Sequence, residues 1–212
     1  MFEGCDRVGK TTQADKLREC FINSKQFVSH VRFPSRETPI GFIIQDFLKG
    51  TKDIRPECAH LLYSADRWDH KDHINELLEL GNNVIADRYS FSGMAYSVAR
   101  GLNLEWCAQS EIGLPVPDLV IHLELESSIE DVLTKRKGFG DQSTETIAFQ
   151  EKVARAYNDL YIAIRSRAKW TKSFQNITEV TITSDENVDV VHEFVKEEVN
   201  AFMHSRGEWN DL

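Results

Sequence analysis

The sequence is poor in cysteine, has no excess of positive charge and lacks any long apolar run, and each shortage removes a class of function. Its four cysteines, Cys5, Cys20, Cys58 and Cys107, form no C-x-x-C pair and have no metal-ligand spacing. They read as reduced thiols of a cytosolic or nuclear protein rather than as a disulfide framework. No apolar stretch reaches membrane length and no secretory leader pattern opens the given sequence, so no membrane partner is expected. Acidic residues number 34 against 25 basic, a net charge of -9. A general nucleic-acid or anionic-membrane binder carries a basic footprint, so both readings are disfavoured. Repeats, low-complexity tracts and linkers are missing too. So is the Asn-Lys-x-Asp segment by which a regulatory GTP switch reads guanine.

What is present is a chain of 212 residues, enough for a single domain over 1–212. Strand-like and helix-like segments alternate along it. Strands are expected at Phe27 to Phe33, Val84 to Asp87, Leu119 to Leu123 and Val180 to Ile182. Helices are expected at Lys10 to Ser24, Ile40 to Leu48, Pro56 to Leu80, Phe91 to Ala99, Ile147 to Ser173 and Val188 to Met203. Pro56 in a first turn and Gly81 past an end bound the third of these. Ser127 with Glu130 has the pattern of a capping box. Such alternation implies an α/β fold with a parallel sheet covered by helices on both faces.

The strongest signal is Gly4-Cys5-Asp6-Arg7-Val8-Gly9-Lys10-Thr11, a G-x-x-x-x-G-K-T phosphate loop. Its glycines let backbone N–H groups turn inward around phosphates. Lys10 bridges terminal phosphate oxygens, the Thr11 hydroxyl binds Mg²⁺, and the following helix aims its positive end at the same anion. Val84-Ile85-Ala86-Asp87 is an apolar strand ending in an acid, where a parallel sheet places its site. Asp87 reads either as a Mg²⁺ ligand or as a helix cap, and the phosphate loop favours the ligand. Asp6 and Arg7 are not needed for the turn. An arginine there can lie against a transferred phosphoryl group, a contact worth on the order of 4–7 kcal/mol; a solvated charge pair is the plainer alternative.

Further arginines follow in Phe33-Pro34-Ser35-Arg36, Ser64-Ala65-Asp66-Arg67-Trp68 and Asp87-Arg88-Tyr89. Their planar forks suit a second phosphate. Tyr63 and Arg67 lie four residues apart on one helix face and could stack on a base and bond its edge, or could simply pack. Trp68 reads as core. His60, His70 and His73 read as packed or solvated, with no third ligand to make a metal site of His70 and His73.

Five segments in this order, "FEGCDRVGKTTQ", "FPSRETPIG", "HLLYSADRW", "DRYSFSGMAYS" and "GLPVPDLVIHLE", resemble the motifs of the thymidylate kinase family. The resemblance implies a five-stranded P-loop NTPase-type sheet, a homodimer, and transfer of the γ-phosphoryl of ATP to dTMP, giving ADP and dTDP. By position, it implies catalytic roles for Arg7, Lys10 and Asp87, and ATP binding by Gly4, Gly9, Lys10, Thr11, Thr12 and Arg136. Thr11 and Asp87 would hold Mg²⁺. Asp6 would accept from the deoxyribose 3′-hydroxyl, and Arg36 and Arg88 would grip the dTMP phosphate. Tyr63 would stack on thymine and Arg67 reach its edge, while Phe33, Ser92, Gly93 and Tyr96 would line the nucleoside pocket. The lid at about 136–147 has no Lys or Arg from Gly138 to Glu151, so the chain resembles the eukaryotic type with arginine in the loop. Gly138 and Gly140 would hinge it.

One feature runs against this pattern. Only Met1, Phe2 and Glu3 precede the loop, whereas a strand usually has five or six residues. Each buried apolar side chain missing from a central strand forfeits roughly 1.5–3 kcal/mol, against a total stability of about 5–15 kcal/mol. The expectation is therefore a shortened first strand, unmet pairing in its neighbours and a start that is truncated or internal. Another nucleotide or nucleoside kinase, or a truncated inactive nucleotide-binding isoform, remain the alternatives.

Overall fold

Five short apolar runs pair side by side in one parallel sheet. A computed structural model of the chain describes residues 1–125, 146–174, 177–183 and 187–207. The strands are β1 (Phe2–Glu3), β2 (Val28–Arg32), β3 (Asn83–Asp87), β4 (Leu119–Glu124) and β5 (Thr178–Thr183), in the order β2-β3-β1-β4-β5. All four neighbouring pairs are parallel. The helices are α1 (Lys10–Asn23), α2 (Pro39–Leu48), α3 (Pro56–Asp69), α4 (Lys71–Glu79), α5 (Ser90–Ala99), α6 (Leu104–Gln109), α7 (Ile147–Arg165) and α8 (Val188–Ser205). The crossover from β1 to β2 runs one way along the sheet and those leading to β3, β4 and β5 run the other. Right-handed connections then put α1 on one face and α3, α5 and α7 on the opposite one. α8 packs on α1, and α5 packs on α7.

Burial on both faces explains the composition of the strands. β4 buries Val120, Ile121, His122 and Leu123 in succession, so it reads as an unbroken run rather than an alternation. α1 turns Ala14, Leu17 and Phe21 inward, and α8 turns in Val191, Val195, Val199 and Met203 at helical spacing. β1 is as short as expected. It pairs β3 through Phe2 and Asp87 alone, and β4 through Phe2 with Ile121 and Glu3 with His122. Below it, a cavity of about 540 Å³ opens between Val84, Ile85 and Ala86 on one side and Leu119 and Ile121 on the other.

Two expectations need correction, and one helix was not expected. The helix expected over Pro56 to Leu80 is two helices, broken at His70. The His70 ring places Nδ1 2.8 Å from the Asp66 carbonyl oxygen, the acceptor a continuing helix would offer the His70 N–H; that N–H bonds Arg67 instead. The helix expected over Ile147 to Ser173 ends at Arg165. Arg167 is left-handed at φ 53, the Ala168 N–H reaches back to Ala163, and a 3₁₀ turn, Lys169–Phe174, buries Thr171 and Phe174. α6 had no expectation; Asn103 caps it by accepting from Trp106 N at 2.9 Å. The capping box at Ser127, Arg136 and all but the end of the expected lid lie outside the described residues.

His122 sets a stability limit. Its ring packs against Tyr157 and Tyr161, with Nδ1 3.0 Å from the Tyr161 hydroxyl. Burial, and next the Lys10 charge, lower its pKa from 6.5 to about 4. The unfolded chain therefore takes up a proton between these values that the folded chain refuses. Stability from the neutral ring is fully present above pH 6.5 and is lost as pH falls toward 4, by at most roughly 3 kcal/mol. His122→Asn should flatten the fall in urea midpoint between pH 7 and pH 5; an unchanged slope would acquit His122.

Candidate active site

The phosphate loop carries β1 into α1 at the carboxyl end of the sheet. Gly4 sits at φ 135, where a β-carbon would stand 2.2 Å from the Leu123 carbonyl oxygen, so no larger residue fits. Gly9 at φ 99 turns the chain into α1. No side chain caps that helix and no acid occupies its first turn, which leaves its positive end for an anion. Lys10 is buried, with its ammonium on the Cys5 carbonyl. Burial, and next repulsion by Arg88, lower its pKa to about 7. The Thr11 hydroxyl donates to Asp87 Oδ2 at 2.6 Å, and Arg32 Nε lies 3.3 Å from the same oxygen.

Arg88 faces this loop. Its guanidinium bonds Asp6, which also accepts from the Tyr96 hydroxyl at 2.7 Å and from Gln150 Nε2 at 2.7 Å. Gln150 Oε1 in turn accepts from the Asp6 backbone N–H at 2.8 Å, tying α7 to the loop. Burial works against the Arg88 charge, but Tyr96 and Asp6 outweigh it and hold the group well above its ordinary pKa. Arg7 and Arg88 both adopt left-handed backbone, φ 63 and φ 66, an uncommon conformation for residues other than glycine. What holds the Arg88 turn is Glu3. Fully buried, it accepts from Tyr89 N at 2.9 Å, from the Tyr157 hydroxyl at 2.9 Å and from Ser92.

The far side of the site is built on α2, α3 and α5. Asp66, also fully buried, accepts from Ser35 N at 2.8 Å and from the Thr38 hydroxyl at 3.3 Å, shaping the turn that carries Arg36. Arg67 is 2% exposed and its guanidinium meets Glu111 through Nε at 2.7 Å and Nη2 at 2.6 Å. Tyr63 is half-buried, and burial pushes its hydroxyl up to about 12. Trp68 corrects the core reading: at 39% exposed it covers the surface, its Nε1 donating to Ser110 O at 2.7 Å. His60 is packed as expected, bonding Ser97 and Ser110.

One cavity of about 720 Å³ collects Asp6, Arg7, Gly9, Lys10, Thr11, Thr12, Phe33, Arg36, Tyr63, Arg67, Arg88, Ser92, Gly93 and Tyr96 on its wall. Gly4 and Asp87 stand behind that wall, and Arg136 is outside the described residues. Sequence reasoning missed Glu3, Arg32, Asp66, Glu111 and Gln150. Glu3 and Asp66 sit inside the motifs "FEG" and "SADRW"; Glu111 and Gln150 carry no local signal.

A glycine turn between parallel strand and helix, a buried lysine, a threonine-acid pair and an arginine-lined cavity define a P-loop NTPase-fold phosphotransferase. The thymidylate kinase family model matches residues 2–187. Thymidylate kinase of Dictyostelium discoideum is 43% identical over 75% of this chain and 71% of its own length. The Homo sapiens enzyme is 40% identical over 76% and 74%. A solved structure of thymidylate kinase from Candida albicans superposes with a TM-score of 0.76 at 31% identity, covering 99% of this chain and 93% of that one. The chain belongs to the thymidylate kinase family.

Glu3→Gln keeps the shape of the buried side chain but turns a donor toward the N–H and O–H groups that now donate to it. The variant should lose about 1–3 kcal/mol in urea unfolding. An unchanged midpoint would remove Glu3 from the support of the Arg88 turn.

Proposed function

We propose that the protein transfers the γ-phosphoryl of ATP to dTMP, with ATP on the Lys10 side of the cavity and dTMP on the Arg67 side. One observation carries this reading: a single cavity has the phosphate loop with Arg7 and Lys10 at one end and Tyr63, Arg67 and Gly93 at the other, with Arg88 between.

Phosphoryl transfer asks the protein mainly to align two anions and neutralise them. Lys10 and the backbone of the glycine turn would cradle the ATP phosphates. Arg36 and Arg88 would hold the acceptor phosphate, and Arg7 would lie between the two. The attacking phosphate oxygen is already ionised, so no side-chain base is required. Asp6, held by Tyr96 and Gln150, would accept from the sugar 3′-hydroxyl.

Thr11 and Asp87 present adjacent oxygens and no soft ligand, a donor set that fits Mg²⁺ completed by phosphate oxygens. Bound there, the ion would neutralise charge on the phosphates. Arg32, already paired with Asp87, would have to share that carboxylate. A homodimer belongs to the same proposal, supported by the exposed apolar side chains Leu61, Trp68, Trp106 and Ile112 of neighbouring segments. No described helix is long and apolar enough to cross a membrane. A cytosolic or nuclear setting is supported by the four unpaired cysteines.

A coupled ADP-release assay with dTMP, dUMP, dGMP and AMP tests the reading; dTMP should be the preferred acceptor, and preference for another monophosphate would contradict it. Arg7→Gly, which suits the left-handed backbone, should cut kcat by about 10³-fold or more while the ATP KM moves less than about threefold. Unaltered turnover would take Arg7 out of the chemistry.

A further inference from the structure

Glu111 lies outside every motif that marks the site, yet it is buried against a residue of the cavity wall. Its carboxylate grips the Nε and Nη2 edge of Arg67 in a two-point contact, leaving the Nη1 end outside the clamp. Bare backbone supports the guanidinium from α5: a β-carbon at Gly93 would stand 2.4 Å from Nη2 and 2.8 Å from Nη1. Clamp and floor are joined by a chain of short polar contacts, buried at the His60, Ser97 and Gly93 end. The Ser110 hydroxyl, with one proton to give, lies 3.1 Å from both Glu111 Oε1 and the Cys107 carbonyl oxygen and 2.9 Å from His60 Nε2. His60 Nδ1 lies 2.8 Å from the Ser97 hydroxyl, which donates to the Gly93 carbonyl at 2.7 Å. The plane of Arg67 is thus bounded on two sides, by the Glu111 carboxylate and by the Gly93 backbone.

A buried ion pair is a poor device for stability alone, because apolar side chains of the same volume commonly serve as well. Orientation is what this pair supplies. A guanidinium offers only donors, so a fixed one donates to a ring carbonyl and disfavours a ring amino group. Resting on the dTMP kinase reading above, we propose that Glu111 is a positioning residue that sets the Arg67 fork against the base edge, making the site select a pyrimidine carbonyl, as in thymine or uracil, over the amino group of cytosine. Released from Glu111, the fork tilts and the selection weakens.

The test compares the whole wild-type chain with Glu111→Gln and with the double variant Arg67→Met/Glu111→Met, in steady-state assays with dTMP, dUMP and dCMP. E111Q should raise the dTMP KM by roughly 10- to 100-fold, the range of one charged hydrogen bond, with kcat and the ATP KM changing by less than about threefold. The ratio of kcat/KM for dTMP over dCMP should fall by about tenfold or more. The double variant removes both charges, so it should unfold near the wild-type midpoint yet keep the raised dTMP KM. If E111Q does not fold, Glu111→Asp, which keeps the charge but draws it back by one methylene from the Arg67 fork, decides the matter through the same dTMP KM and dTMP-over-dCMP ratio. Wild-type dTMP KM and selectivity in either variant would make the pair a strut and overturn the proposal. A wild-type chain inert toward dTMP overturns the functional reading with it; an active wild type with an indifferent E111Q overturns this proposal alone.

Discussion

Repulsion between Lys10 and Arg88 across the carboxyl end of the sheet is the constraint that the rest of the site answers. Both are held in the protein, and Arg88 is the main charge lowering the Lys10 pKa after burial itself. Arg7, Arg32 and Arg36 line the same cavity. Like charges at this density do not gather without counter-charge, because each loses solvation and gains no partner. Asp6 answers Arg88 and Asp87 answers Arg32. Lys10 has a carbonyl oxygen for its ammonium. On the proposed reading, the phosphates of two nucleotides are the charge this arrangement is prepared to receive.

Preparation of this kind needs a rigid frame, and buried acids supply it. Glu3 holds the left-handed turn of Arg88, Asp66 holds the turn before Arg36, and Glu111 holds Arg67 itself. Each joins segments far apart in sequence, so the arginines sit on the fold rather than on mobile loops. Hydrogen-bonded acids in such places organise the cations before a ligand arrives, and less reorganisation remains for the moment of transfer. Left-handed Arg7 and Arg88 are the local strain that this frame sustains.

The phosphate loop was legible because its chemistry depends on spacing along the chain, and the alternation of apolar runs with amphipathic ones carried the parallel sheet. Asp6, Arg36, Arg88, Tyr63 and Arg67 were legible through the ordered motifs around them, and they share one cavity wall. Features set by distant contacts were not. Glu111 meets Arg67 from 44 residues away, and Gln150 meets Asp6 from 144. The break at His70 depends on which carbonyl its ring reaches, something apolar periodicity does not encode. Trp68 looked like core because periodicity counts apolar residues without showing that its indole N–H would find the Ser110 carbonyl at the surface.

Calorimetric titration of dTMP and of ADP into the wild-type chain and Arg88→Asn tests the central picture most directly. Asparagine tolerates the left-handed backbone, so the turn is kept while the charge proposed to face the acceptor phosphate is removed. The account predicts that dTMP affinity falls by about 10- to 100-fold while ADP affinity changes by less than about threefold. Equal losses for both nucleotides, or no loss for dTMP, would contradict it.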